Sequence, residues 1–203
     1  MISPKKYDLS TFTGMSKEQL DEHYKLYLGY VEKANELSDL SKDGNLYVDG
    51  NTTYSPVRSI KLGETYAING VNLHQLYFEN VTGSDDEKKK ISKDLLKYII
   101  AQFNDLKNLL YVLKVVGLSM RGWSIVAYDE LANNLKVFGS DAHDVGAIWS
   151  VAHPLIVLDV YEHAYFMDFG TNRGKYIDTF IKNINWYVIS NRFKNLKEIV
   201  PSL

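Results

Sequence analysis

Apolar positions recur at helical spacing over several stretches of the chain and give way to short β-rich runs in its second half. In residues 16–40, SKEQLDEHYKLYLGYVEKANELSDL, the residues Leu20, Tyr24, Tyr27, Tyr30, Val31 and Ala34 fall at helical intervals. Ser16 supplies a cap and Glu18 a first-turn acid, so one long amphipathic helix is predicted. Residues 42–70 are rich in Gly, Asn, Asp and Thr and contain Pro56, which predicts loop or irregular turns, with a second helix over residues 71–81. The polar run GSDDEKKKISK reads as a connector dividing the chain near residue 87, and overlaps with a solvated helix start capped by Ser92. From Asp94 to Val116, Leu95, Ile99, Phe103, Leu106, Leu110 and Leu113 recur every three or four residues, predicting a single helix.

Beyond Gly122 the period changes. WSIVAYD and NLKVFGS, separated by LANN, read as a β-hairpin, and PLIVLDVY (residues 154–161) as a third strand. Residues 174–193 return to a helical pattern, with Tyr176, Phe180, Ile184 and Tyr187 on one stripe. There is no internal repeat. The order implies an α+β fold: an N-terminal helical hairpin over residues 1–87, then a C-terminal domain, residues 88–203, in which a small three-stranded antiparallel sheet packs with helices.

A chain of 203 residues is long enough for one well-buried domain or two small ones. With 23 Lys and Arg against 25 Asp and Glu, the net charge of −2 favours neither nucleic acid nor an anionic membrane as partner. The run LLYVLKVVGL is interrupted by Lys114 and too short to span a bilayer, and MISPKKYDLS lacks an apolar segment, so a cytoplasmic protein is expected. The absence of cysteine excludes disulfides, thiolate metal sites and a Cys nucleophile.

The candidate chemistry is carried by histidine and tyrosine. His23, His74, His143, His153 and His163 are widely separated, as metal ligands are when the fold assembles the site. In LDVYEHAYFMDF, Asp159 and His163 lie four residues apart where a strand should end, after an apolar lead-in that would bury both. A buried carboxylate and imidazole need partners; a hydrogen bond between them or a shared metal ion would serve.

The same segment resembles the D-x-W-E-H-A-Y signature of the iron/manganese superoxide dismutases, matching at Asp159, Glu162, His163, Ala164 and Tyr165. NLHQLYF resembles the family's second-histidine helix, with His74 at the ligand position, and QLDEHYKLYLGYV its first-histidine helix, with His23. RGWSIVAY is similar to the Gly-Trp strand through Gly122 and Trp123. NRGKYIDTFIKNINWYVISNRF resembles the C-terminal helix, including Arg173, Tyr176, Asn185, Trp186 and Arg192. The resemblance implies an enzyme that converts superoxide to dioxygen and hydrogen peroxide. It implies one Fe or Mn ion per subunit, held by His23, His74, Asp159 and His163 with water or hydroxide as a fifth ligand. It further implies a homodimer through Glu162 and Tyr165, the Glu bonding the ligand His of the other subunit, and Arg173 in the substrate funnel; Lys25, on the first helix near His23, is a candidate to assist it.

Several positions depart from the family pattern. DAHD places His143 where Gln is usual opposite the coordinated solvent, the alternative being an exposed turn histidine. The family's second His four residues after the first ligand is Tyr27 here, and the gateway Tyr eight residues on is Val31. Tyr30, seven residues on, still falls on the face of His23 and is the candidate gate, whereas Tyr24 reads as packing. Phe78 and Tyr161 replace usual Trp residues, although Trp123 is retained. His153 matches no ligand and reads as a pre-proline loop residue. The broken gateway spacing and lost Trp residues favour a catalytically weak or inactive protein that keeps the fold and metal in a structural or interaction role, whereas the four intact ligands and Arg173 favour the enzyme; a metal-dependent hydrolase is disfavoured by the absence of HExxH.

Overall fold

The computed structural model describes residues 1–48, 50–145 and 152–200. Helix α1, Lys17–Leu40, begins as expected, with the Ser16 hydroxyl accepting from the Gln19 N–H, and it buries Leu20, His23, Tyr27, Val31 and Ala34 along one stripe. Its partner α2 spans Pro56–Val81, so residues 56–70 are helix and not the expected loop. Pro56 acts as a helix starter, because its fixed φ suits the first turn and its missing N–H would be unpaired there anyway. The glycines that suggested a loop are packing residues: a Cβ on Gly70 would lie 2.8 Å from the Tyr30 ring of α1. Tertiary contact overrides propensity here.

After the short helix α3 (Asp85–Lys88), capped by Ser84, the expected single helix is two. Helix α4 is Lys93–Phe103, capped by Ser92, and α5 is Leu106–Ser119. Asn104 takes a positive φ of 67°, which asparagine tolerates better than most residues, and Asp105 then caps α5 by accepting from the Asn108 N–H at 2.6 Å. The break changes the phase of the stripe, and Leu109 is fully buried where Leu110 had been expected.

Among the described residues the sheet has three strands, β1 (Trp123–Asp129), β2 (Asn134–Ser140) and β3 (Ala152–Asp159), in the order β2-β1-β3 with both pairings antiparallel. The third strand ends two residues earlier than predicted, because residues 162–164 turn into a single 3-10 turn. Register puts Trp123 opposite Asp159, fixing the indole beside the strand end that carries the carboxylate. The outer edge of β3 is closed by Asn80 of α2, whose Oδ1 accepts from the Val157 N–H at 2.7 Å and whose Nδ2 donates to the Leu155 carbonyl at 3.3 Å. Arg192 donates to the same carbonyl at 2.8 Å and to Glu79 at 2.7 Å, so the edge is paired and α2 is bolted to the sheet.

The C-terminal segment is likewise divided. After a one-turn helix α6 (Phe166–Phe169) come α7 (Arg173–Lys182) and α8 (Trp186–Ile199), parted by Asn183 and Asn185, the latter capping α8. Tyr176, Phe180 and Ile184 are buried as expected, but Tyr187, beyond the break, is exposed. No helix among the described residues is long and apolar enough to cross a membrane.

Candidate metal centre

Four side chains from four parts of the fold converge on one point. His23 comes from the buried stripe of α1, His74 from α2, Asp159 from the last residue of β3, and His163 from the turn that follows. Their donor atoms all lie within 4.8 Å of one another. The Asp159 Oδ2 is 3.1 Å from His23 Nε2, 3.2 Å from His163 Nε2 and 3.6 Å from His74 Nε2. His23, His74 and Asp159 have fully buried side chains, while His163 is 30% exposed.

His23 Nε2 and His163 Nε2 lie within hydrogen-bond distance of Asp159 Oδ2, but part of the cluster stays unsatisfied. His74 Nδ1 donates to the Gly70 carbonyl at 2.6 Å, so in the neutral ring the Nε2 lone pair points toward the carboxylate and has no donor. His23 Nδ1 also lacks a partner among the described residues. The His74 lone pair and the carboxylate oxygen repel, and a cation between them removes the conflict.

Burial sets the charge states. Desolvation pulls His74 down to about 3, and it lowers His23 as well although Asp159 opposes it. Burial pushes the Asp159 carboxyl up, but His163 and His23 outweigh that and hold it well below the usual carboxylate range. At neutral pH, His23 and His74 are therefore neutral imidazoles and Asp159 is an anion, a donor set suited to a first-row divalent or trivalent ion.

Neighbours orient the donors. Tyr176 donates to the Asp159 carbonyl at 2.7 Å, and the Asp159 Oδ1 accepts from the Tyr161 N–H at 2.9 Å. Gln19 of α1 donates to the His163 carbonyl at 2.7 Å and accepts from the Met167 N–H at 3.0 Å, pinning the turn to the helix. Nothing in the sequence reading had marked Gln19; its signal is its place one turn before His23 on the buried stripe.

Trp123, His143 and Tyr30 pack against the cluster. His143 is fully buried and not an exposed turn residue. Its Nδ1 accepts from Trp123 Nε1 at 3.0 Å and its Nε2 lies 2.8 Å from the Tyr30 hydroxyl. Desolvation lowers His143 to about 4, so it too is neutral at neutral pH. Trp123 meets His74 edge-on at 5.2 Å, Tyr161 stacks on His163 at 5.1 Å, and Phe78 packs 5.1 Å from His23. Tyr66 was missed because its segment read as loop; on α2 it sits two turns before His74, its ring 4.5 Å from that of His143.

Other candidates lie elsewhere. Tyr27 is buried in its own chain, accepting from the Lys5 N–H at 2.9 Å and from Gln75 at 3.0 Å. Tyr24 donates to the Lys5 carbonyl, and Lys25 is a solvated cation paired with Glu22. His153 belongs to β3 and not to a loop, and its imidazole meets Glu130 away from the cluster. Arg173 is half-buried, donating from Nε to the Tyr165 hydroxyl at 3.0 Å and from Nη1 to the Met120 carbonyl at 2.7 Å.

An α+β chain that brings three imidazoles and a carboxylate, all but His163 buried, to one point has the donor set of a mononuclear transition-metal site. Residues 91–192 match the model of the iron/manganese superoxide dismutases, C-terminal domain. The chain is 39% identical to superoxide dismutase [Fe] of Aquifex pyrophilus over 94% of its own length and 89% of the relative's. It is 38% identical to superoxide dismutase [Fe] of Aquifex aeolicus with the same coverage, and 27% identical to superoxide dismutase [Mn] 1 of Halobacterium salinarum over 97% and 96%. The chain belongs to the iron/manganese superoxide dismutases, enzymes that convert superoxide to dioxygen and hydrogen peroxide. Nothing in these relatives favours the alternative of a fold retained without activity.

Proposed function

We propose that His23, His74, Asp159 and His163 hold one iron or manganese ion and that superoxide is dismuted beside it. The observation that carries this reading is the convergence of four donor atoms within 4.8 Å, including a buried His74 Nε2 left without a hydrogen-bond partner among the described residues. When bound, the ion would supply the one-electron chemistry by which one superoxide leaves as dioxygen and a second takes up two protons as hydrogen peroxide. The protein's part is to hold the donors, exclude bulk water and orient protons.

Trp123, His143 and Tyr30 serve the last task. The indole N–H points at His143 Nδ1, so the neutral imidazole carries its proton on Nε2 and presents it to the Tyr30 oxygen. Tyr30, whose ring lies 5.2 Å from His74, is the gate residue between the site and solvent. Phe78, Tyr161 and Trp123 form apolar walls that raise the strength of every charge inside. Arg173 contributes positive charge that draws the anionic substrate, in a chain whose overall charge of −2 would not.

The reading includes a two-fold dimer through Glu162 and Tyr165 in the cytoplasm. Glu162 is exposed beside the exposed Phe166 and Met167, which suits an interface, and Tyr165 is held from behind by Arg173 and by stacking on Tyr176 at 4.9 Å. Light scattering at micromolar concentration tests the dimer, and cell fractionation the compartment.

Metal analysis of the purified protein, with a superoxide-consumption assay, tests the centre and decides between iron and manganese. His74→Ala and Asp159→Ala are each expected to lose the ion and the activity together. Either variant retaining both at wild-type level overturns the assignment.

A further inference from the structure

Resting on the reading of the cluster as an iron or manganese site, we propose that Tyr77 is a positioning residue whose hydroxyl, acting through Tyr176, fixes the peptide that joins Asp159 to the turn carrying His163. Tyr77 and Tyr176 are both fully buried, and their hydroxyl oxygens lie 3.2 Å apart. The Tyr176 hydroxyl is also 2.7 Å from the Asp159 carbonyl, an oxygen that can only accept. Its single hydrogen is spent there, so at the 3.2 Å contact Tyr77 donates and Tyr176 accepts. Among the described residues Tyr176 is the hydrogen-bond partner of the Tyr77 hydroxyl and has no rival.

The peptide at the end of this relay is the hinge of the cluster. Its N–H, that of Val160, donates to the Gly122 carbonyl at 2.8 Å, and its carbonyl is the one that Tyr176 holds from the other side. A planar unit tied at both polar groups cannot swivel, and the two backbone angles beside it set how the Asp159 carboxylate and His163, four residues on, face each other. Tyr77 brings the remaining ligands into the same arrangement. It stands three residues after His74 on α2, so it shares that face of the helix, and its ring packs 4.9 Å from the His23 ring and stacks on Phe180 of α7 at 5.6 Å. A phenylalanine ring would fill that space equally well. The oxygen is costly to bury unless bonded, and what it adds is the bond to Tyr176, which also makes Tyr176 the stronger donor to the carbonyl.

The test is the affinity of the site for its ion, measured by competition with a chelator from the metal-loaded full-length protein to equilibrium. Tyr77→Phe keeps both ring contacts, and it is expected to fold and to hold the ion roughly three- to tenfold more weakly, the worth of one hydrogen bond. A hydroxyl that served packing alone would weaken the metal-free and metal-loaded folds equally and leave this affinity where it was. In a Tyr176→Phe background the same substitution should change the affinity by less than about twofold, because the effect passes through Tyr176. Unchanged affinity in Tyr77→Phe overturns the proposal, as does an equal loss with and without the Tyr176 hydroxyl. Wild-type protein that holds neither iron nor manganese overturns the reading of the cluster, and this inference with it.

Discussion

Gly70→Ala separates what the helix backbone wants from what the site needs. Inside a helix, alanine is favoured over glycine by about 1 kcal/mol. At this position, however, the new Cβ would lie 2.8 Å from both Cγ and Cδ1 of Tyr30. Carbon atoms prefer separations of roughly 3.5 Å or more, so the ring has to retreat by about 0.7 Å. It is anchored on α1 behind and bonded to His143 in front, and overpacking of this kind costs about 1–3 kcal/mol. The net loss of stability is therefore about 1 kcal/mol, equivalent to a fall in melting temperature of roughly 2–4 °C for a chain of this size. The effect on turnover should be larger, because the displaced group carries the hydroxyl that His143 contacts at 2.8 Å. Displacements near 1 Å in a reacting site can cost up to about a hundredfold, and a loss of at least tenfold is expected here. The Gly70 carbonyl that accepts from His74 Nδ1 is retained, so metal content should not fall. Thermal unfolding, metal analysis and superoxide consumption on one preparation measure all three. Wild-type turnover, or a variant more stable than the parent, would refute the packing argument.

Further predictions concern charge. Burial pushes the Glu79 carboxyl up, but Lys5 at 2.8 Å and Arg192 at 2.7 Å outweigh it and hold it below its ordinary value. A group depressed in the folded state stabilises above its unfolded pKa, near 4.3, and that contribution is lost as pH falls through the folded value. Glu79→Gln should thus cost about 1–2 kcal/mol at pH 7 in chemical denaturation, with the gap narrowing below about pH 4; a gap constant with pH would exclude the linkage. Arg173→Ala should lower the rate constant for superoxide severalfold at low salt without loss of metal, and the deficit should shrink above about 0.15 M salt, where screening is strong. A deficit independent of ionic strength would make the bonds of Arg173 to Met120 and Tyr165 its whole contribution.

Local chemistry carried much of this molecule in the sequence itself. The helix from Ser16, both strands of the hairpin, and the burial of Asp159 at the end of an apolar run follow from caps, side-chain period and hydropathy, which act over a few residues. The helix breaks were less legible, since one apolar stripe can continue in register across an interruption, and the interruptions at Asn104 and Asn183 depend on backbone conformation and capping. Residues 56–70 were misread for the opposite reason. Gly63 and Gly70 weaken a helix in isolation but let α2 approach α1 closely enough to bring His74 to His23, a benefit that exists only once both helices are present. The same holds for the partners of the site. Gln19, Tyr66 and the pairing of Trp123 with His143 join residues up to 148 positions apart, and no local pattern encodes a distance. The sequence determined the elements and the chemical types of the donors, whereas only packing decided that three rings and one carboxylate should meet, because long-range contact is fixed by the whole core at once.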